Sequence, residues 1–273
     1  IHGFAGKWIT EAEFKDGLFL LALILVGLPL TPNTPLWGTV LNPHLILKLL
    51  TLILVVQALA HIAKRLLSTK NALILSSIAS GFVSSTVTIA HLGMQVRNGQ
   101  ADARSNAGAA LMSCISTLVL LFIVVGGVSL AWLKLLIFPS LIAMAILALC
   151  AYWLLRKAKP VEETEPEDSP MFSLKEAAII AGLLTVIQAG VYGLELLLGD
   201  SGLIAGTLLA SLFEIHAAMA AVVVQGEPGN ISLLYALILG LAAHAISKSV
   251  NAAISGGFKF ALYFAPAQIL HML

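Results

Sequence analysis

The sequence predicts an all-α fold, a polytopic transmembrane helical bundle of about eight or nine helices with an internal duplication of four-helix units. Three observations predict it. The 273 residues are 59% hydrophobic and 11% charged, with a mean hydropathy of +0.98. A soluble domain carries about 25% charged residues, and a chain this apolar cannot cover a water-facing surface. Its apolar runs are continuous and long enough to cross a bilayer, which takes about 20 residues per helix. Residues in one half of the chain recur in order in the other.

The elements follow from their punctuation. Helices are expected at 11–31, 43–66, 71–93, 105–127, 131–156, 173–198, 202–224, 230–254 and 258–273. Thr10 with Glu13 reads as a capping box opening the first helix. TPNTP closes it, and Asn42-Pro43 opens the second. KRLLSTKN separates the second helix from the third and RNGQADARSN the third from the fourth, GEPGN parts the seventh helix from the eighth, and Gly126-Gly127 and Gly256-Gly257 mark tight turns. The runs are too long and too evenly apolar for the strands of a β-barrel. The chain starts at Ile1 without methionine, so a cut terminus or a longer parent protein is expected.

Residues 157–172, KAKPVEETEPEDSPMF, are acid-rich and proline-containing and read as an aqueous linker. They divide the chain into a leading segment with the first helix (1–42), a first unit (43–156) and a second unit (173–273). Moving along by 131 positions lays Gln57-Ala58 on Gln188-Ala189, Ala79-Ser80 on Ala210-Ser211 and Phe82 on Phe213. A shift of 130 lays Gly126-Gly127 on Gly256-Gly257. Weak internal symmetry of this kind is common in transporters. Four crossing helices per unit would make the two units parallel.

Polar side chains in lipid are costly, so intramembrane stripes normally face the bundle interior or a water path. The third helix carries Ser77, Ser80, Ser84, Thr88 and His91 at helical spacing, around a centre Ser84-Ser85-Thr86 rich in small hydroxyls. Such a run either packs helices closely or re-satisfies backbone where a helix unwinds. The seventh helix carries Thr207, Ser211 and Glu214, with His216 nearby. The eighth carries His244, Ser247, Lys248, Asn251 and Ser255. Glu214 is the most informative residue, an acid inside an apolar segment, either in a structural ion pair or binding a cation or proton. Lys248 is its natural counter-charge, so the two should lie within salt-bridge range. Gln57, His61 and Lys64 fall on Gln188, Tyr192 and Glu195, and the two glutamines should bond across helices.

Several classes are excluded or unsupported. A net charge of +1 without clustered Lys and Arg gives no case for nucleic acid. No HExxH, GxSxG or P-loop is present, so an enzyme is not expected. His44, His61, His91, His216, His244 and His271 are scattered singly, and Cys114 and Cys150 sit alone in apolar runs, so no metal or other cofactor is indicated.

Gly81 to Thr86, GFVSST, within SGFVSSTVTIAHL, resembles the glycine-rich Val-Ser-Ser-Thr-Ala run of the uncharacterised C-terminal membrane domain of MgtC/SapB-type bacterial proteins. ITEAEFKDGLFLLALILVGLPLTPN followed by VLNPHLI, with Leu41-Asn42-Pro43, resembles that domain's opening helix and proline-bounded turn, and LGDSGL before the seventh helix also fits. Val87 stands at the motif's alanine, Ala60-His61 at a usual Gly-Tyr, and Glu214 or His216 at a usual aspartate. The resemblance implies a bacterial inner-membrane protein with a separate MgtC-like domain as a partner, and it carries no settled activity.

The sequence-based reading is therefore a membrane transporter or channel for a small ion or solute. Its midplane site would draw on Ser80, Ser84, Ser85, Thr86, Thr88, Ser211, Glu214, His216, His244, Lys248 and Asn251. The alternative is a regulatory or scaffolding domain acting through a membrane-protein partner. Lipid is the expected surroundings, and a homo-oligomer is left open.

Overall fold

The computed structural model describes residues 10–38, 40–66, 72–156 and 174–272; the acid-rich linker lies outside them. Among these residues the chain is helical, with no strand. α1 opens at Glu11–Ala22 on the expected Thr10–Glu13 capping box, passes through a π-helical turn at Leu23–Gly27 and closes at Leu28–Leu30. The first unit comprises α2 (Pro43–Leu66), α3 (Ala72–Arg97), α4 (Ala103–Val128) and α5 (Leu130–Leu155). The second comprises α6 (Leu174–Leu198), α7 (Asp200–Phe213), α8 (Ile215–Val223) and α9 (Ile231–Leu270). Six of the helices are long and apolar enough to cross a membrane.

Two predicted helices are broken at their centres. Ser84 interrupts α3 with φ −163° and ψ 106°. Glu214 separates α7 from α8 with φ −146° and ψ 106°. The two breaks have the same geometry, and they are equivalent under the shift of 130. Each is extended backbone whose side chain caps the helix that follows: Val87 N–H donates to Ser84 Oγ (3.2 Å), and Ala217 N–H donates to Glu214 Oε2.

The contacts show that neither broken helix crosses. Lys48 Nζ donates to Gly127 O (2.7 Å), and Leu49 and Leu52 lie against Gly127, so α2 starts where α4 ends. α2 therefore ends at the face where α4 starts. Only residues 67–71 connect α2 to α3, a reach of about 20 Å at full extension, against a hydrocarbon core of about 30 Å. α3 thus starts at that same face. It also ends there, because a short turn leads into α4 and Asn106 Nδ2 donates back to Leu92 O (2.9 Å). α3 is a re-entrant hairpin.

The second broken helix repeats this from the other side. Ser232 Oγ donates to Asp200 Oδ2 (2.6 Å), Gly240 lies against Thr207, and His244 Nδ1 donates to Ser211 O (2.9 Å). α7 and α9 therefore run in the same direction from one face, and α8 must return to that face before α9 begins. Fully buried Trp132, at the start of α5, donates from Nε1 to Gly226 O (2.7 Å) in the α8–α9 loop. This hairpin thus enters from the face where α4 ends, opposite to the first.

Corresponding elements of the two units therefore run in opposite directions, and the units are inverted rather than parallel. Charge follows the topology. Lys15, Lys64, Arg97, Arg104, Arg156 and Lys175 lie near helix ends at the face of the first hairpin; Lys48 and Lys134 lie toward the other.

The predicted break near Gly256-Gly257 is present as a kink in α9. Gly257 has φ 77°, a left-handed conformation that glycine adopts without steric cost. Beyond it Phe260 and Phe264 pack with Ala107, Leu111, Leu147 and Ala151, so the chain turns back between α4 and α5.

Candidate functional site at the hairpin tips

The tips of the two hairpins meet on one residue in the middle of α4, Thr117, which is buried. Its hydroxyl donates to Ser85 Oγ at the first tip (2.8 Å) and accepts from Lys248 Nζ of α9 (3.1 Å). Its carbonyl accepts from His216 Nε2 at the second tip (3.4 Å). Asn251 Nδ2 donates to Thr86 O (2.8 Å), tying the first tip to α9 as well. Each hairpin is thus held by a spanning helix of the opposite unit.

The second tip pairs an acid with an imidazole. His216 Nδ1 lies 2.6 Å from Glu214 Oε1. A carbonyl only accepts, so His216 Nε2 must carry hydrogen to bond Thr117 O. On Nδ1 a ring hydrogen donates to the Glu214 carboxylate, which accepts at Oε1.

The remaining sequence-predicted residues are placed as follows. Thr88 Oγ1 donates to Ser84 O (2.8 Å), closing the first turn after the break, and Ser80 is half-buried just before it. Ser211 and His244 join at the end of α7 through the Ser211 carbonyl, while Ser211 Oγ and His244 Nε2 have no hydrogen-bond partner. The predicted Glu214–Lys248 ion pair is not formed. Glu214 is committed to Ala217 N–H and His216, and Lys248 bonds the neutral Thr117 hydroxyl. The break at Ser84 turns the chain there, so the serine stripe does not continue along one helix face.

Gln57 and Gln188 separate in the same way. Gln57 Nε2 donates to Phe82 O at the first tip (3.4 Å), as the cross-helix expectation required. Gln188 is fully buried and neither amide atom has a partner. Their stripes also diverge: His61 pairs with Glu13 of α1 (3.2 Å), whereas Tyr192 packs edge-on against Trp37. No group of three or more metal-ligating side chains occurs among the described residues.

Two residues of the site escaped the sequence reading. Thr117 is one of three small hydroxyls in the middle of α4, with Ser113 and Ser116, and Gln268 follows the Gly256-Gly257 turn. Cys114 has both Lys248 and Gln268 as neighbours. The shared cue was depth, since Thr117 and Cys114 occupy one face of α4 one turn apart, level with both breaks.

Residues 51–257 match the family of a domain of unknown function, DUF4010. The chain belongs to this family. The match includes both hairpins, Thr117 and Lys248, so the broken helices lie within the family's domain. No curated protein and no solved structure matches the chain.

Proposed function

We propose that this DUF4010 protein transports a small ion or solute through a site formed where the two hairpin tips converge. The observation that carries the reading is that convergence. Two broken helices enter from opposite faces, in inverted units, and bond to the same residue, Thr117. Inverted repeats with discontinuous helices at the midplane are a recurrent transporter plan, because unwound backbone in lipid must be buried in protein or line a cavity. In this reading each hairpin closes the site toward its own face, and access alternates as one tip or the other withdraws from α4. The Glu214–His216 pair supplies an exchangeable proton at one tip.

The face bearing Lys64, Arg97, Arg104 and Arg156 is cytoplasmic by the positive-inside rule. The membrane is the bacterial cytoplasmic membrane, and a separate MgtC-like domain is a partner; both rest on the SGFVSSTVTIAHL resemblance.

A non-transporting regulatory or scaffolding role is the second reading. It is favoured by the exposure of Val83, Val87 and Phe213 at the tips, where a membrane-protein partner would find an apolar surface. Proton and metal-cation flux into proteoliposomes separates the two. Transport predicts flux with the native chain that collapses in Glu214→Gln. Absence of flux under every gradient, with both proteins folded, supports the scaffold.

A further inference from the structure

Lys248 is a buried cation without an anion. It is 3% exposed, and among the described residues no carboxylate lies within 4.0 Å of it. An ammonium offers three donors, and its partners here are neutral groups, the Thr117 hydroxyl (3.1 Å) and the Cys114 thiol. A charge left so poorly compensated inside a membrane protein is costly, and such residues normally mark a ligand path.

The turn at Gly257 brings the last segment of α9 back until Gln268 lies beside Cys114, which also adjoins Lys248. Gln268 is 2% exposed, and its Nε2 donor has no partner. The Ser85 end of the second half of α3 reaches the same spot through Thr117, with its helix N-terminus, the positive end, directed inward. A cation would need carboxylates or free carbonyls there. The nearest acid that acts on Lys248 is Glu214, whose oxygens are committed to Ala217 N–H and His216.

We infer that Lys248, Gln268 and Thr117 form a binding site for a small anion, a short carboxylate or an inorganic monoanion, and that this is the substrate class of the transport reading, on which the inference rests. The anion takes the remaining donor of Lys248 and meets the free Nε2 of Gln268. Near-complete burial of all three groups restricts the ligand to a few heavy atoms.

The test is thermal unfolding of the purified full-length chain in detergent, titrated at constant ionic strength with sodium formate, acetate, chloride, nitrate or bicarbonate, and with gluconate as a bulky control. The expected result is a saturable rise in melting temperature with at least one small anion and none with gluconate. Lys248→Arg should retain it and Lys248→Met should abolish it, while Gln268→Ala should weaken apparent affinity about tenfold. The carboxylate and inorganic arms identify the ligand's source. Lys248→Met removes a buried charge, and its own melting transition reports that it is folded. No rise with any anion, or a rise that survives in Lys248→Met, overturns the inference. Glu214-dependent cation flux with no anion effect on melting would refute the anion site while leaving transport standing. Anion binding without any flux would do the reverse.

Discussion

Substituting Gly81 by alanine tests how closely the first hairpin is pressed onto α4. An added Cβ would lie 2.6 Å from Ser113 O and 2.7 Å from Ser113 Cα, both backbone atoms that cannot swing aside. Restoring an ordinary contact of 3.4 Å requires the helices to part by roughly 0.8 Å, and overpacking of this kind costs about 1–3 kcal/mol. Alanine recovers up to about 1 kcal/mol through its better helix propensity, leaving a net loss of up to about 2 kcal/mol. Gly190 on α6 is the control, since nothing lies within 4 Å of its added Cβ. Gly190→Ala should therefore gain up to about 1 kcal/mol from propensity alone. Thermal unfolding of both variants and the native chain in one detergent reads the difference. Gly81→Ala melting as high as Gly190→Ala would refute the close approach, and with it the seating of the first hairpin on α4.

Thr117→Val keeps shape but removes the hydroxyl shared by Ser85 and Lys248, so it should destabilise by about 1–3 kcal/mol and abolish any flux. Gln188→Leu should leave the melting temperature unchanged or raise it, because the amide it removes is buried without a partner; a fall would mean that the amide is satisfied in the membrane. Trp132→Phe breaks the bond that ties α5 to the return loop of the second hairpin and should cost about 1–3 kcal/mol, read as a lower melting temperature in the same assay.

Much of the fold was legible because its breaks are chemically marked. Asn42-Pro43, the Thr10–Glu13 capping box and the Gly256-Gly257 turn each appear where polar or conformationally special residues interrupt apolar runs. Direction was not legible. A hairpin such as Ala72–Arg97 has the length and hydropathy of a spanning helix, and a single residue in extended conformation reverses it. Assigning α3 a full crossing changed the parity of the first unit, which made the repeats parallel. With α3 folded back, Lys64, Arg97 and Arg156 share one face. The polarity of Ser84 and Glu214 at mid-membrane carried the signal. Both residues lie at the breaks, but the caps their side chains form were hidden until the backbone turned. The Glu214–Lys248 pairing failed for the same reason: an N-cap spends its oxygen on the backbone and the adjacent ring.

The central claim is that the two broken helices enter from opposite faces without crossing. Its most direct test is labelling of single cysteines by a membrane-impermeant maleimide in oriented vesicles, in a background lacking Cys114 and Cys150. Lys64→Cys and Gln100→Cys flank the first hairpin, and Asp200→Cys and Glu227→Cys flank the second. The account predicts that the first two react from one side and the last two from the other. Lys64→Cys and Gln100→Cys reacting from opposite sides would make α3 a crossing helix and contradict the inverted architecture.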